Sequence, residues 1–243
     1  MIEKQIRLIR EGKWDVMIVL DACRYDFFKR EFGNHLVGFL RKVWSPASNT
    51  YYWLKAVYGN GIHDITVYGA HPVLNSSGIG REKDKSGFVA KPHFRKIVDI
   101  WDKYYDEKLG TVPSGPVVDH VLNDENFSVP AIVWLMQPHG PWIGEFRIAG
   151  SRGREEQWSV KDMWRKLYGG AIDPKILRKA YRSNLIYVLG EIKRLVNVLS
   201  QRGYKIVITS DHGEMLGEKG MFDHPAGREE SELRVVPWLE CWH

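Results

Sequence analysis

The sequence predicts an α/β protein, a three-layer α/β/α sandwich around a mostly parallel central sheet. Strand-like and helix-like segments alternate along all 243 residues, the order that covers both faces of a parallel sheet with helices. Two strand-like segments, Asp15-Val-Met-Ile-Val-Leu-Asp21 and Pro130-Ala-Ile-Val-Trp-Leu-Met136, carry unbroken apolar runs. A strand with one wet face would alternate, so both are expected in the middle of the sheet. The third observation is a long helical stretch ending just before the β-branched run Ile206-Val-Ile-Thr209. The length suffices for one large core, so a single domain over 1–243 is expected, with substrate-side insertions near 75–125 and 143–170.

Taken in order, residues 2–11 read as a short amphipathic helix, followed by the strand that ends in Asp21. Phe27 to Phe32 read as helix and Leu36 to Leu40 as a short strand. The polar turn Ser45-Pro-Ala-Ser-Asn-Thr50 feeds an aromatic helix from Tyr51 to Tyr58. Asp64-Ile-Thr-Val-Tyr68 is another parallel strand. Residues 75–91, rich in Gly, Ser and charge, form an excursion. Helices are expected from Phe94 to Tyr105 and from Pro116 to Leu122, and segment 144–170 reads as irregular and basic. The helix from Asp173 to about Arg202 is the clearest, with Asp173 as N-cap, Pro174 at its first position and Gly203 as its stop. Its apolar residues Leu177, Tyr181, Leu185, Val188, Ile192, Leu195 and Leu199 step by three or four and make one stripe. Leu233 to Leu239 is the final strand.

Hydrophobic content of 44% and charged content of 27% exclude a disordered or membrane-embedded chain. No apolar run nears the roughly 18 residues of a bilayer span. Met1 to Arg10 alternates charged and apolar residues and lacks the core of a signal peptide, so a cytoplasmic location is expected. Cys23 and Cys241 are too few for a disulfide framework and, following apolar runs, read as buried free thiols. The net charge of +5 suits an anionic substrate without choosing one. With 10 Trp, a non-catalytic module binding nucleic acid or an anionic glycan is an alternative. Most of the aromatics fall in predicted helices and strands, where they pack cores, and this disfavours nucleic acid.

The run Lys205-Ile-Val-Ile-Thr-Ser-Asp-His-Gly-Glu-Met-Leu-Gly-Glu-Lys-Gly220 is a buried strand ending abruptly in a polar turn, where an open α/β sheet places its ligand site. Asp211 offers a carboxylate oxygen and His212 an imidazole nitrogen, half a ligand set for a divalent metal such as zinc or manganese. Gly213 lets the backbone turn away. A bare Asp-His-Gly is otherwise an ordinary strand-to-loop turn. Asp21 closes its own strand in the same way; the plain alternative is an acid that merely caps the helix starting near Tyr25. Asp21, the 48–50 turn, His139 and the Asp211-His212 pair all follow strands and are expected on one carboxyl edge.

These segments resemble the alkaline phosphatase superfamily, in particular its sulfatase-like branch. Ser210-Asp-His-Gly-Glu214 followed by Gly217-Glu-Lys-Gly220, the opening Val19-Leu-Asp-Ala-Cys-Arg-Tyr-Asp26 and the turn Ser45 to Leu54 carry the likeness across nearly the whole chain. The resemblance implies an alkaline-phosphatase-like fold, one metal held by Asp21, Asp211, His212 and Thr50, and a second metal left open. It implies Thr50 as nucleophile with Ser48 as the alternate, since coordination activates a hydroxyl without an adjacent base. One of the two is then only a helix cap. His139, in Gln137-Pro-His-Gly-Pro141, matches a Pro-His turn whose imidazole contacts the transferred group or the leaving oxygen, the latter as a general acid; the alternative is an ordinary polar turn residue. His224, in Met221-Phe-Asp-His-Pro225, resembles the place of a late His or Lys near the substrate, there to bind a second cation or the phosphoryl group. Arg24 pairs with a substrate oxygen or simply with Asp26.

The expected activity is metal-dependent hydrolysis or transfer of a phosphate ester through a covalent phosphoenzyme, the ester being an anionic small molecule or glycan- or lipid-linked. Sulfate-ester hydrolysis at the same site is the enzymatic alternative. Against it, Cys23-Arg24-Tyr25 does not match a formylglycine segment, and Ala22 stands where calcium sulfatases commonly carry a second Asp.

Overall fold

Five consecutive apolar residues place β2 (Val16–Leu20) at the centre of the sheet with every side chain buried. It pairs in parallel with β6 (Ala131–Leu135) on one side and β7 (Ile206–Ser210) on the other. The computed structural model describes residues 2–79, 86–148 and 160–242, so the excursion at 75–91 and the segment 144–170 lie partly outside the described residues. Beyond β6 come β4 (His63–Gly69) and the edge strand β5 (Phe94–Val98), both parallel. Beyond β7 come β10 (Val235–Cys241), β3 (Gly38–Trp44) and the two-residue β1 (Glu3–Lys4). In this eight-stranded sheet β10 alone runs antiparallel to its neighbours β7 and β3. The mostly parallel sheet is as expected.

The pleat sends alternate residues of β2 into two cores. Val16, Ile18 and Leu20 pack under α2 (Tyr25–Glu31), α5 (Ser114–Asn123) and α7 (Pro174–Gln201), against side chains such as Phe28, Val117, Leu185 and Ile192. Met17 and Val19 face the opposite layer, where α1 (Gln5–Glu11) and α3 (Thr50–Tyr58) supply Ile9, Trp53 and Val57. Each such side chain contributes about 1.5–3 kcal/mol by leaving water. The Asp173 carboxylate accepts from Lys175 N at 2.8 Å and starts α7, whose buried stripe includes all seven apolar residues expected. Gly203, at φ 82°, ends it. No helix among the described residues is long and apolar enough to cross a membrane.

One buried polar knot locks the layers. Gln5 donates to Thr209 Oγ1 at 2.8 Å and to the Ser210 carbonyl at 2.6 Å, and accepts from Trp53 Nε1 at 2.8 Å. Three elements far apart in sequence are thereby held at the end of β7.

Several elements differ from expectation. Residues 94–105 are not one helix: Phe94–Val98 is the edge strand β5, followed by a single helical turn, α4 (Ile100–Lys103). Phe94 is buried and the next two residues are exposed, a half-covered pattern that fits an edge strand, with pairing to β4 overriding local helix preference. The basic segment 144–170 is not wholly irregular, because α6 (Val160–Tyr168) buries Met163 and Leu167 against the main core. The strand expected at Leu36–Leu40 begins at Gly38 and runs to Trp44 to pair with the whole of β10. The last strand is preceded by a turn of helix, α8 (Ser231–Arg234). Cys23 is buried as expected, whereas Cys241 is half-buried at the end of β10.

Candidate metal centre and its surroundings

β2 and β7 are paired so that Leu20 faces Ser210, and the next residues, Asp21 and Asp211, therefore leave the sheet side by side. Both are buried, with His212 fully enclosed beside them. Ala22 turns the chain away at φ 56°, a left-handed conformation uncommon for a residue with a Cβ, and in doing so aims its N–H at Asp211 Oδ1, 3.1 Å away. Gly213 turns the other strand: a Cβ there would sit 1.9 Å from the Glu232 carbonyl oxygen. The loop fits only because that Cβ is absent.

Thr50 arrives from the opposite layer as the first residue of α3. Asn49 is the cap, its side chain accepting from Tyr51 N at 3.0 Å, which leaves the Thr50 hydroxyl free to point at the strand ends. Thr50 Oγ1 lies 2.8 Å from Asp211 Oδ2 and 3.1 Å from His212 Nε2. His212 Nδ1 is 2.8 Å from the Gly213 carbonyl. That contact engages Nδ1 and leaves Nε2 as the ring nitrogen that faces Thr50.

The donor set fits a divalent cation. One ligand atom from each of Asp21, Asp211 and His212 lies within 4.8 Å of the others. Asp21 is enclosed with Trp134 Nε1 at 3.3 Å as its side-chain donor. Burial, with the Asp211 charge second, pushes the Asp21 carboxyl well above the usual carboxylate range. Burial alone would raise Asp211 too, but the His212 charge holds it down at about 2. Burial would lower His212, yet Asp211 carries it up to about 9. Two adjacent buried acids thus draw positive charge into the site, and carboxylate oxygens with an imidazole nitrogen suit zinc or manganese.

A second cluster stands next to the first. His139 Nε2 lies 3.0 Å from His224 Nε2, His224 Nε2 lies 3.1 Å from Asp223 Oδ1, and the three residues converge within 4.8 Å. The ring of His224 is 4.3 Å from that of His212, centroid to centroid. Burial lowers both imidazole pKa values, that of His224 to about 3. Asp223 has φ 68° and accepts a hydrogen bond from the Tyr168 hydroxyl at the end of α6. The His139 turn is seated by its own backbone N–H, which donates to the Asp21 carbonyl at 3.2 Å.

No protein-family model matches the sequence, and no curated protein matches it. Solved structures do match in shape. The soluble domain of lipooligosaccharide phosphoethanolamine transferase A from Neisseria meningitidis superposes with a TM-score of 0.58 at 16% identity, over 95% of this chain and 77% of that one. The phosphonate monoester hydrolase of Agrobacterium radiobacter gives 0.58 at 14% identity, over 93% and 68%. The C-terminal periplasmic domain of EcEptC from Escherichia coli, in complex with Zn, gives 0.55 at 10% identity, over 95% and 73%. The chain has the alkaline-phosphatase-like fold.

Within this alkaline-phosphatase-like frame, Asp21, Thr50, Asp211 and His212 meet at one point, and His139 and His224 meet beside them. Ser48 does not join them: its hydroxyl donates to the Pro225 carbonyl at 2.8 Å and accepts from Arg228 N at 3.1 Å, tying two loops. Arg24 forms two bonds of 2.9 Å to Asp26 and one of 2.7 Å to Glu218, and it bonds the Glu214 carbonyl at 3.2 Å. Of the two roles expected for it, the structure displays the pairing with Asp26. Asp223 went unread as a site residue, although Asp223-His224 repeats the Asp211-His212 dipeptide and that echo was the available signal. Glu214 was also missed. It is buried, and its Oε2 has no hydrogen-bond partner among the described residues.

Proposed function

We propose that this protein is a metal-dependent transferase or hydrolase of phosphate esters in which the Thr50 hydroxyl receives the phosphoryl group. One observation carries the reading: Thr50 Oγ1, at the N-terminus of a helix, touches both Asp211 and His212 within 3.1 Å. The fold shared with phosphoethanolamine transferases and a phosphonate monoester hydrolase supports the phosphate class, and a Zn-complexed neighbour supports a divalent cation.

Asp21, Asp211, His212 and Thr50 would hold the cation. When bound, it supplies positive charge that makes the Thr50 hydroxyl acidic enough to react at neutral pH. Asp211 Oδ2 accepts the hydroxyl hydrogen bond and orients Oγ1. The Thr50 oxygen gives its proton to solvent water and attacks phosphorus, the bond from phosphorus to the leaving oxygen breaks, and the positive end of the α3 dipole lies beside the phosphoryl oxygens. His139 and His224 stand beside that point, and one of them, protonated once the phosphate anion is bound, would pass that proton to the leaving oxygen. Water or an acceptor alcohol then attacks the same phosphorus and frees Thr50. A lipid- or glycan-linked phosphate ester is the proposed substrate class, following the neighbour that acts on lipooligosaccharide.

The test is turnover of p-nitrophenyl phosphate, bis-p-nitrophenyl phosphate and p-nitrophenyl sulfate with Zn²⁺ or Mn²⁺, combined with mass spectrometry of the quenched protein. Phosphate on the peptide containing Thr50 is expected. Turnover of the sulfate alone, or phosphate on Ser48, would overturn the assignment.

A further inference from the structure

Two helices border the candidate centre and present a common character to solvent. The end of α6 reaches the second cluster through Tyr168 and Asp223. The start of α7 abuts the turn after His212, where a Cβ on Gly217 would lie 2.7 Å from Pro174, and Arg178 bonds Glu218 at 3.2 Å. Along the outside of α7, Ile176, Lys179, Ser183 and Ile186 recur at helical spacing, and Ile176 and Ile186 are 46% and 36% exposed. On α6, Lys161, Arg165 and Tyr168 face solvent. The ion pairs of this face are Arg165 with Asp162, Arg178 with Glu218 and Arg182 with Glu31. Lys161, Lys175 and Lys179 are left without one among the described residues.

A groove of about 550 Å³ opens in the same face. Phe146, Ile186 and Tyr187 form apolar walls, Lys179 and Arg182 stand at its rim, and Glu145 is its one acidic member. Lys179 Nζ rests 4.2 Å from the centre of the Phe146 ring.

We propose that this face seats the protein on an anionic lipid surface, with the groove receiving a phospholipid headgroup and its glycerol neck. Cations next to exposed aliphatic side chains match a layer of phosphates above hydrocarbon. The proposed contact is with the surface of the membrane, through side chains on the outside of α6 and α7. The inference needs no chemistry at Thr50, and it gives the cations of this face a partner.

Co-sedimentation of the full chain with vesicles tests it. Partition onto phosphatidylglycerol–phosphatidylcholine vesicles is expected to exceed that onto phosphatidylcholine alone at least about tenfold, and to fall as salt rises. Replacing Lys175 and Lys179 together by Gln should lower it about 30-fold. Ile176→Ser should lower it while leaving the salt dependence unchanged. Lys205→Gln, on the opposite edge of the sheet, should change nothing, and thermal unfolding checks that each variant is folded. Thr50→Ala should bind vesicles like the parent, which separates docking from reaction. Equal binding to neutral vesicles, an unaffected Lys175/Lys179 variant, or displacement of the protein from vesicles by single-stranded RNA would overturn the proposal.

Discussion

The side-chain amide of Asn184 holds the turn that carries His139. Its Nδ2 donates to the His139 carbonyl at 3.0 Å and to the Pro138 carbonyl at 3.1 Å, while Oδ1 accepts from Ile143 N at 2.9 Å. A fully buried polar residue in the middle of α7 thus positions a group on a different strand end. Replacing Asn184 by Leu strands an N–H and two carbonyls. A loss of about 1–3 kcal/mol in urea unfolding is expected, with a further drop in turnover from displacement of His139. An unchanged midpoint would show that water or a shifted turn takes over these bonds.

Thr50→Ala removes the proposed nucleophile without disturbing the Asn49 cap. Turnover of p-nitrophenyl phosphate should fall at least about a thousandfold and the phosphorylated peptide should disappear. Ser48→Ala should retain turnover within a few fold, because its hydroxyl binds the Pro225 and Arg228 backbone instead.

Gly213→Ala is expected to be among the most damaging small substitutions in the chain. The added Cβ would meet backbone rather than a movable side chain, so the Asp211-His212 loop must shift. Cation binding measured by calorimetry should be lost even if the protein still folds.

Chelation should lower the melting temperature. A ligand that binds only the folded chain stabilises it by about 4 kcal/mol at a thousand times its Kd. The gain should vanish in Asp211→Asn, whose melting temperature should not respond to Zn²⁺ or Mn²⁺.

Glu218 sets an acid limit. Burial alone would raise its pKa, but Arg24 holds it below the ordinary 4.5. A carboxylate whose folded pKa is depressed stabilises the fold above the unfolded value and loses that contribution as pH falls through the folded one. Glu218→Gln should therefore be less stable than the parent at pH 7, and the gap should close below about pH 4.5. A gap that persists in acid would mean that packing, not charge, makes the difference.

The sequence by itself determined the layered α/β fold, because unbroken apolar runs and a seven-residue apolar stripe are properties of local order that any parallel sheet must bury. Asp21, Asp211 and His212 were also legible as candidates, since acids and a histidine at strand ends are visible as motifs. The edge strand Phe94–Val98 was not legible, because its conformation comes from pairing with β4 and its local pattern suits either a helix or a half-covered strand. The difference in surroundings between Ser48 and Thr50 likewise belongs to tertiary structure. Two residues apart in one turn, they differ only in which distant groups meet them: Pro225 and Arg228 for one, Asp211 and His212 for the other. Sequence spacing carries no such information, because those partners come together only when β7, α3 and the 217–230 loop close over the same edge of the sheet.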